Sequence, residues 1–174
     1  MWTETSLKDL YDSSVKAFPL TTRRQHSTDT VRVEGLRWVP FQGLGTLFVK
    51  GLAVNEGRKN EPIILFRQVR YKEEEGRGVV SIEASNGQQV HLDSLSLSKN
   101  DALVRCTCQD FRWRFCHWNK DDKSLYGRDR SRYEASLRPG SSNPEESPGI
   151  CKHLMKMAKI LGESGVLGAA WKSK

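Results

Sequence analysis

Residues 102–119 read "ALVRCTCQDFRWRFCHWN", and the chain changes character inside this stretch. Up to Arg105 the pattern is that of a short strand. From Cys106 onward it is built from cysteine, histidine, aromatic and basic residues. Three of the four cysteines fall here, and the fourth follows in "PGICKHLMKM", residues 148–157. How those cysteines are used decides what holds the C-terminal third together.

Upstream, residues 30–107 carry a period of two. "TVRVEGLRWVPF" (30–41) alternates Val31 and Val33 with Arg32 and Glu34. "GTLFVKGLAV" (45–54) and "EPIILFRQVRY" (61–71) follow after Gly- and Asn-rich breaks, each read as one strand. In "VVSIEASNGQQVHL" (79–92), Asn86-Gly87 stands between two strand candidates and predicts a tight hairpin with positive φ at both residues. Five or six strands with no helix between them predict antiparallel pairing, because parallel strands need long crossovers. The fold class expected is α+β: an antiparallel β sandwich or small barrel, a C-terminal metal-stapled module, and short terminal helices.

The first helix is read over 5–18. Leu7, Leu10, Tyr11, Val15 and Phe18 recur at three- and four-residue steps, with Thr5 or Ser6 as cap. "PLTTRRQHSTD" (19–29) reads as a linker. The second helix begins in "ICKHLMKMAKILGESG", with Leu154, Met157, Ala158 and Leu161 on one face and Gly162 or Gly165 ending it. Between the cysteine clusters, residues 119–149 form a polar excursion longer than a compact domain leaves unsupported, so its ends must be tied. The organisation expected is an arm at 1–29, a β-rich body at 30–104, a metal-binding module at 105–165 and a tail at 166–174.

Composition bounds the partners. With 37% hydrophobic and 28% charged residues the 174-residue chain is of ordinary globular type. Its longest apolar runs, such as "IILF" at 63–66, are too short for a bilayer, and no secretory signal is read at the start, so a reducing compartment and no membrane partner are expected. Net charge is +7, yet the nine Arg/Lys in 105–138 are interspersed with five acids, the pattern of a solvated face; nucleic acid is an alternative partner, not the favoured one.

Disulfides are disfavoured by the compartment. A nucleophilic Cys151 beside His153 lacks a visible third residue to orient it. A metal accounts for more: Cys106 and Cys108 grip one ion from the end of a strand, and Cys151 and His153 complete the set at a helix mouth, where the dipole favours thiolate. Three thiolates and one imidazole suit a closed tetrahedral structural zinc site, which would clamp the base of the excursion. Cys116 opens an alternative, a four-cysteine iron–sulfur cluster through Cys106, Cys108, Cys116 and Cys151. Otherwise Cys116 sits in an aromatic patch and His117 packs or faces water. Phe111, Trp113 and Phe115 are expected to alternate onto the core, with Arg112 and Arg114 outward on carboxylates, rather than to stack bases. His26 and His91 read as exposed or strand-face residues, Asp101 as a turn and Glu73–Glu75 as solvated charge. With no P-loop, catalytic carboxylate pair or metal-hydrolase motif, no enzymatic activity is expected.

Two resemblances follow from these motifs. C-x-C at 106–108 and C-x-H at 151–153, across a 42-residue spacer, resemble the SWIM-type zinc finger, which implies nucleic-acid or protein binding. "CTCQDFRWRF … NPEESPGICKHLMKM" looks like a family of tailed-bacteriophage structural proteins that read roughly C-S-C-x-D-F-x-Y-R-F … N-P … P-G-x-C-K-H-L. Asp110, Phe111 and Arg114 match, with Trp113 in the aromatic slot, Asn143-Pro144 as N-P, and Pro148 to His153 as the last element. The similarity extends over about 30–160. It implies a non-enzymatic virion component of tail or baseplate, present in several copies, packed against other virion proteins and assembled in the host cytoplasm.

Overall fold

The computed structural model describes residues 5–18, 28, 30–128, 143 and 145–168. Most of the 19–29 linker with His26, residues 129–142 and Pro144 of the excursion, and residues 169–174 of the tail lie outside the described residues. No helix is long and apolar enough to cross a membrane among the described residues.

Helix α1 (Leu7–Ala17) starts where a polar cap meets an apolar period. Ser6 and Asp9 form a reciprocal capping box, in which the Ser6 hydroxyl takes the Asp9 N–H and the Asp9 carboxylate takes the Ser6 N–H. Such a cap is worth about 1 kcal/mol. The buried stripe is Leu7, Leu10, Ser14 and Ala17, whereas Val15 is exposed. The stripe therefore passes through a serine that hydrophobicity alone does not select.

Among the described residues eight strands follow: β1 (Arg32–Phe41), β2 (Thr46–Asn55), β3 (Arg58–Asn60), β4 (Ile63–Phe66), β5 (Tyr71–Lys72), β6 (Val79–Glu83), β7 (Gln89–Asp93) and β8 (Ala102–Arg105). They form two antiparallel sheets, one ordered β1-β2-β4-β8 with β3 beside β2, the other β5-β7-β6. The architecture is α+β. Both sheets are open, so the small barrel considered from sequence does not form. Closure needs the outer edges of one sheet to meet in register. Instead the edge of β8 pairs with the segment 124–126, through Val104 N–H to Ser124 O and Tyr126 N–H to Val104 O.

Strand β2 buries every second residue, as its alternation requires. Edge strand β1 does so only loosely and carries a bulge between Glu34 and Leu36. "EPIILFRQVRY" is not one strand: Gln68 adopts φ 59°, and the chain leaves β4 in the first sheet to enter β5 in the second. The hairpin at Asn86-Gly87 is present, with β6 on β7, but its loop has three residues. Gly87 alone takes positive φ, 85°, after a turn closed by Gly87 N–H on Ala84 O. The Asn86 side chain accepts from Gln88 N–H, which stabilises this bulged loop over the two-residue turn.

One buried cluster joins the sheets and helices. Leu47, Ile64 and Phe66 of the first sheet, Val90 and Leu92 of the second, and Leu10 of α1 belong to it. So do the cysteines and Leu154, Met157 and Leu161 of the last helix, α3 (Lys152–Glu163). That helix buries the face read from its period and ends ahead of Gly165, at φ 84°. Gly162 lies inside it. Asp101, read as a turn residue, is buried and pairs with Arg67 at 3.8 Å.

Candidate metal centre

Strand β8 delivers Cys106 at its end, and the chain then turns through Thr107 to Cys108. Thr107 is exposed and fixes this turn: its hydroxyl oxygen takes the Glu61 N–H at 2.9 Å and donates to Asn60 at 3.4 Å, next to β4. Both thiols point inward and are buried. A π-helical turn over Phe111–Phe115 follows and runs into helix α2 (Cys116–Asp122). The period here is helical, not two as the sequence suggested. Phe111 and Phe115, four apart, are buried together, while Trp113 stays half-exposed. Arg114 pairs with Asp110 at 3.6 Å and lies over the Phe18 ring, and Arg112 lies over Trp113.

From the other side, Cys151 is the N-cap of α3 and His153 its second residue. The ligand atoms of Cys106, Cys108, Cys151 and His153 lie within 4.8 Å of one another, and all four residues are buried. His153 presents Nδ1 to the sulfurs, 3.8 Å from Cys106 and 3.9 Å from Cys151. Its Nε2 is buried with no hydrogen-bond partner among the described residues. Burial pushes the Cys106 and Cys151 thiols well up. Cys108 is held far below the usual thiol range, because the Cys106 and Cys151 thiols donate to it. The Phe111 N–H also points at its sulfur, 3.3 Å away. Three cysteines and one imidazole gathered this closely are a set that releases protons when a cation takes their place.

The excursion is tied at its base, as its length requires. Asn119, fully buried, uses its amide as a two-pronged clamp on Gly149: Nδ2 donates to the carbonyl at 2.9 Å, and Oδ1 accepts the N–H at 2.8 Å. Asn143 donates to the carbonyls of Arg114 and Ser147. Ser14 of α1 accepts the Ile150 N–H at 2.8 Å. The sequence marked Asn143 and Gly149 only as members of a motif. It gave no signal for Ser14, since a polar residue at a helix position reads as exposed, or for Asn119, which reads as the start of the polar excursion.

Cys116 is buried at the start of α2 but is not one of the four grouped donors. His117 is half-exposed, 3.6 Å from Asp121 and edge-on to Trp118. His91 lies on the β7 face, hydrogen-bonded through Nδ1 to Ser81. The four buried donors are compatible with a metal site. Compared with known proteins, the chain finds no matching family model, no matching curated protein and no matching solved structure.

Proposed function

We propose that Cys106, Cys108, Cys151 and His153 hold one structural zinc ion, and that the chain is a non-enzymatic structural component of a tailed-phage virion, in its tail or baseplate. The observation that carries the metal reading is the convergence of four buried soft donors within 4.8 Å. A tetrahedral zinc ion, about 2.3 Å from sulfur and about 2.0 Å from nitrogen, sets such ligand atoms roughly 3.6 Å apart. The 3.8 and 3.9 Å separations around His153 Nδ1 are close to that spacing. An iron–sulfur cube carries each thiolate on a separate iron, a wider arrangement, and would need Cys116 in place of the imidazole. When bound, the ion supplies no reaction; it replaces core in a small module.

The virion reading rests on the phrase "CTCQDFRWRF … NP … PGICKH" and its resemblance to phage structural proteins. An open apolar groove of about 460 Å³ on the outer face of the first sheet is suited to packing against other virion proteins in a multi-copy assembly. It is lined by Val39, Phe41, Leu44, Phe48, Leu65 and Tyr126, and Leu44 is 78% exposed. The competing SWIM-like reading, nucleic-acid binding through the basic 105–138 surface, draws less support: Arg105 is bonded to the Tyr126 carbonyl, Arg112 lies over Trp113, and Arg114 pairs with Asp110.

Elemental analysis of the purified chain tests the ion: one zinc per chain is expected, and a brown, iron-containing protein would overturn it. Quantitative mass spectrometry of purified particles tests the location, with a fixed copy number expected. Binding to DNA tighter than about 1 µM, with log affinity falling steeply against log salt, would replace the structural reading by the SWIM-like one.

A further inference from the structure

Gly149 and Ile150 lead directly into the ligand Cys151 but belong to no strand or helix. Their backbone is held by two side chains. Asn119 of α2 satisfies both the N–H and the carbonyl of Gly149, and Ser14 of α1 takes the N–H of Ile150 while donating to Leu10 O at 2.8 Å. Both side chains are 0% exposed. The three segments close so tightly that a Cβ on Gly149 would lie 2.3 Å from the Ser14 hydroxyl and 2.6 Å from the Phe115 ring. Helix α1 also reaches α2 at its other end, where Thr5 donates to Asp122 at 2.8 Å.

We infer that Ser14 and Asn119 are positioning residues for the metal ligand Cys151, so that docking of the N-terminal helix and occupation of the metal site are linked. The inference rests on the metal reading above and adds a coupling across the length of the chain. With the ion bound, Cys151 is fixed, and the Gly149–Ile150 backbone presents its N–H and carbonyl groups to α1 and α2. With the ion gone, that backbone keeps Asn119 but loses the fixed Cys151 beyond it, and its bond to Ser14 weakens. A helix of eleven residues draws its stability from docking, so the turns of α1 around Ser14 then loosen, while its start stays held by Leu7, Leu10 and the Lys8 N–H on Leu97 O. Reciprocity follows: whatever undocks α1 weakens the ion's hold by the same factor.

The test uses the zinc-loaded full chain and follows zinc transfer to EDTA. Ser14→Ala leaves the Ile150 N–H buried without a partner and is expected to speed transfer about tenfold, equivalent to 1.4 kcal/mol. Leu92→Ala, a core truncation in β7, lowers thermal stability but leaves the transfer rate unchanged, which separates positioning from general destabilisation. The reciprocal measurement needs no variant: removing zinc from the wild-type chain raises amide exchange over 10–17 and leaves 79–93 unchanged. Equal rates for Ser14→Ala and wild type, or exchange in α1 indifferent to zinc, overturn the inference while the metal reading stands. A wild-type chain that binds no zinc overturns both.

Discussion

The β-rich stretch 30–104 and the cysteine-bearing stretch that follows it share one buried cluster but are held by different means. In the body, β2 places Leu47, Val49 and Ala53 on one face at every second position, and the fully buried Phe66 and Leu92 fill the core. Each of the larger side chains among them contributes about 1.5–3 kcal/mol by leaving water. Around the cysteines, single polar side chains make the joints: Asn119 on Gly149, Asn143 on Arg114 and Ser147, and Ser14 of α1 on Ile150. A periodic core tolerates local error because many equivalent contacts share the load. A joint made of one side chain does not, and its partners are far apart in sequence, 136 residues in the case of Ser14 and Ile150.

The sharpest way to break the comparison is to remove a donor. Cys151→Ser is expected to abolish stoichiometric zinc and to fray 105–165, since structural zinc carries on the order of 10 kcal/mol in the smallest zinc domains. Hydrogen exchange should rise there while the β6–β7 hairpin stays protected. Full zinc occupancy in this variant would refute the donor assignment. Phe66→Ala is the counterpart in the body, expected to cost about 3–5 kcal/mol of global stability with zinc retained at one per chain. Denaturant unfolding and metal analysis on the same sample separate the two effects. Loss of zinc in Phe66→Ala would mean that the module cannot hold its ion without an intact body.

The same contrast explains what could be read in advance. Alternation in residues 30–107 yielded strands because each inward side chain carries its own burial signal. The four donors that converge are those picked out by spacing and chemistry, C-x-C at the end of a strand and C-x-H at the start of a helix. Reading failed where a single contact overrides the period. Gln68 at positive φ cuts "EPIILFRQVRY" in two, and the Asn86 side chain selects a three-residue loop. "FRWRF" alternates like a strand in letters, but Phe111 and Phe115 pack four apart in a π turn beside the cysteines. Ser14 and Asn119 were invisible because their hydrogen-bond partners, Ile150 and Gly149, become neighbours only once the chain has folded.

Gly149→Ala probes the joint from its third side. The added methyl would overlap the Ser14 hydroxyl and the Phe115 ring, so α1 or the π-helical turn must yield. Overpacking of this kind costs about 1–3 kcal/mol, less than the loss of a core phenylalanine. The expected signature is local: faster exchange in α1, and faster zinc loss with the second sheet untouched. A uniform loss of stability with zinc held as in wild type would show that the joint is ordinary packing.

The smallest effects are expected at Cys116 and His117, next to the site but outside the donor set. His117→Ala removes an exposed i,i+4 pair with Asp121 and an edge contact with Trp118, and should change stability by less than about 0.5 kcal/mol. Cys116→Ala removes one buried sulfur and should cost about 1 kcal/mol. Both variants should keep one zinc per chain. The pair also tests the boundary of the site: loss of metal in Cys116→Ala, with His153→Ala retaining it, would transfer the fourth ligand position from imidazole to thiolate, and iron content would then separate a four-cysteine zinc site from a cluster. Unchanged zinc in Cys116→Ala, set beside its loss in Cys151→Ser, would place two buried cysteines of one module in different roles, one holding the ion and the other filling the wall behind it.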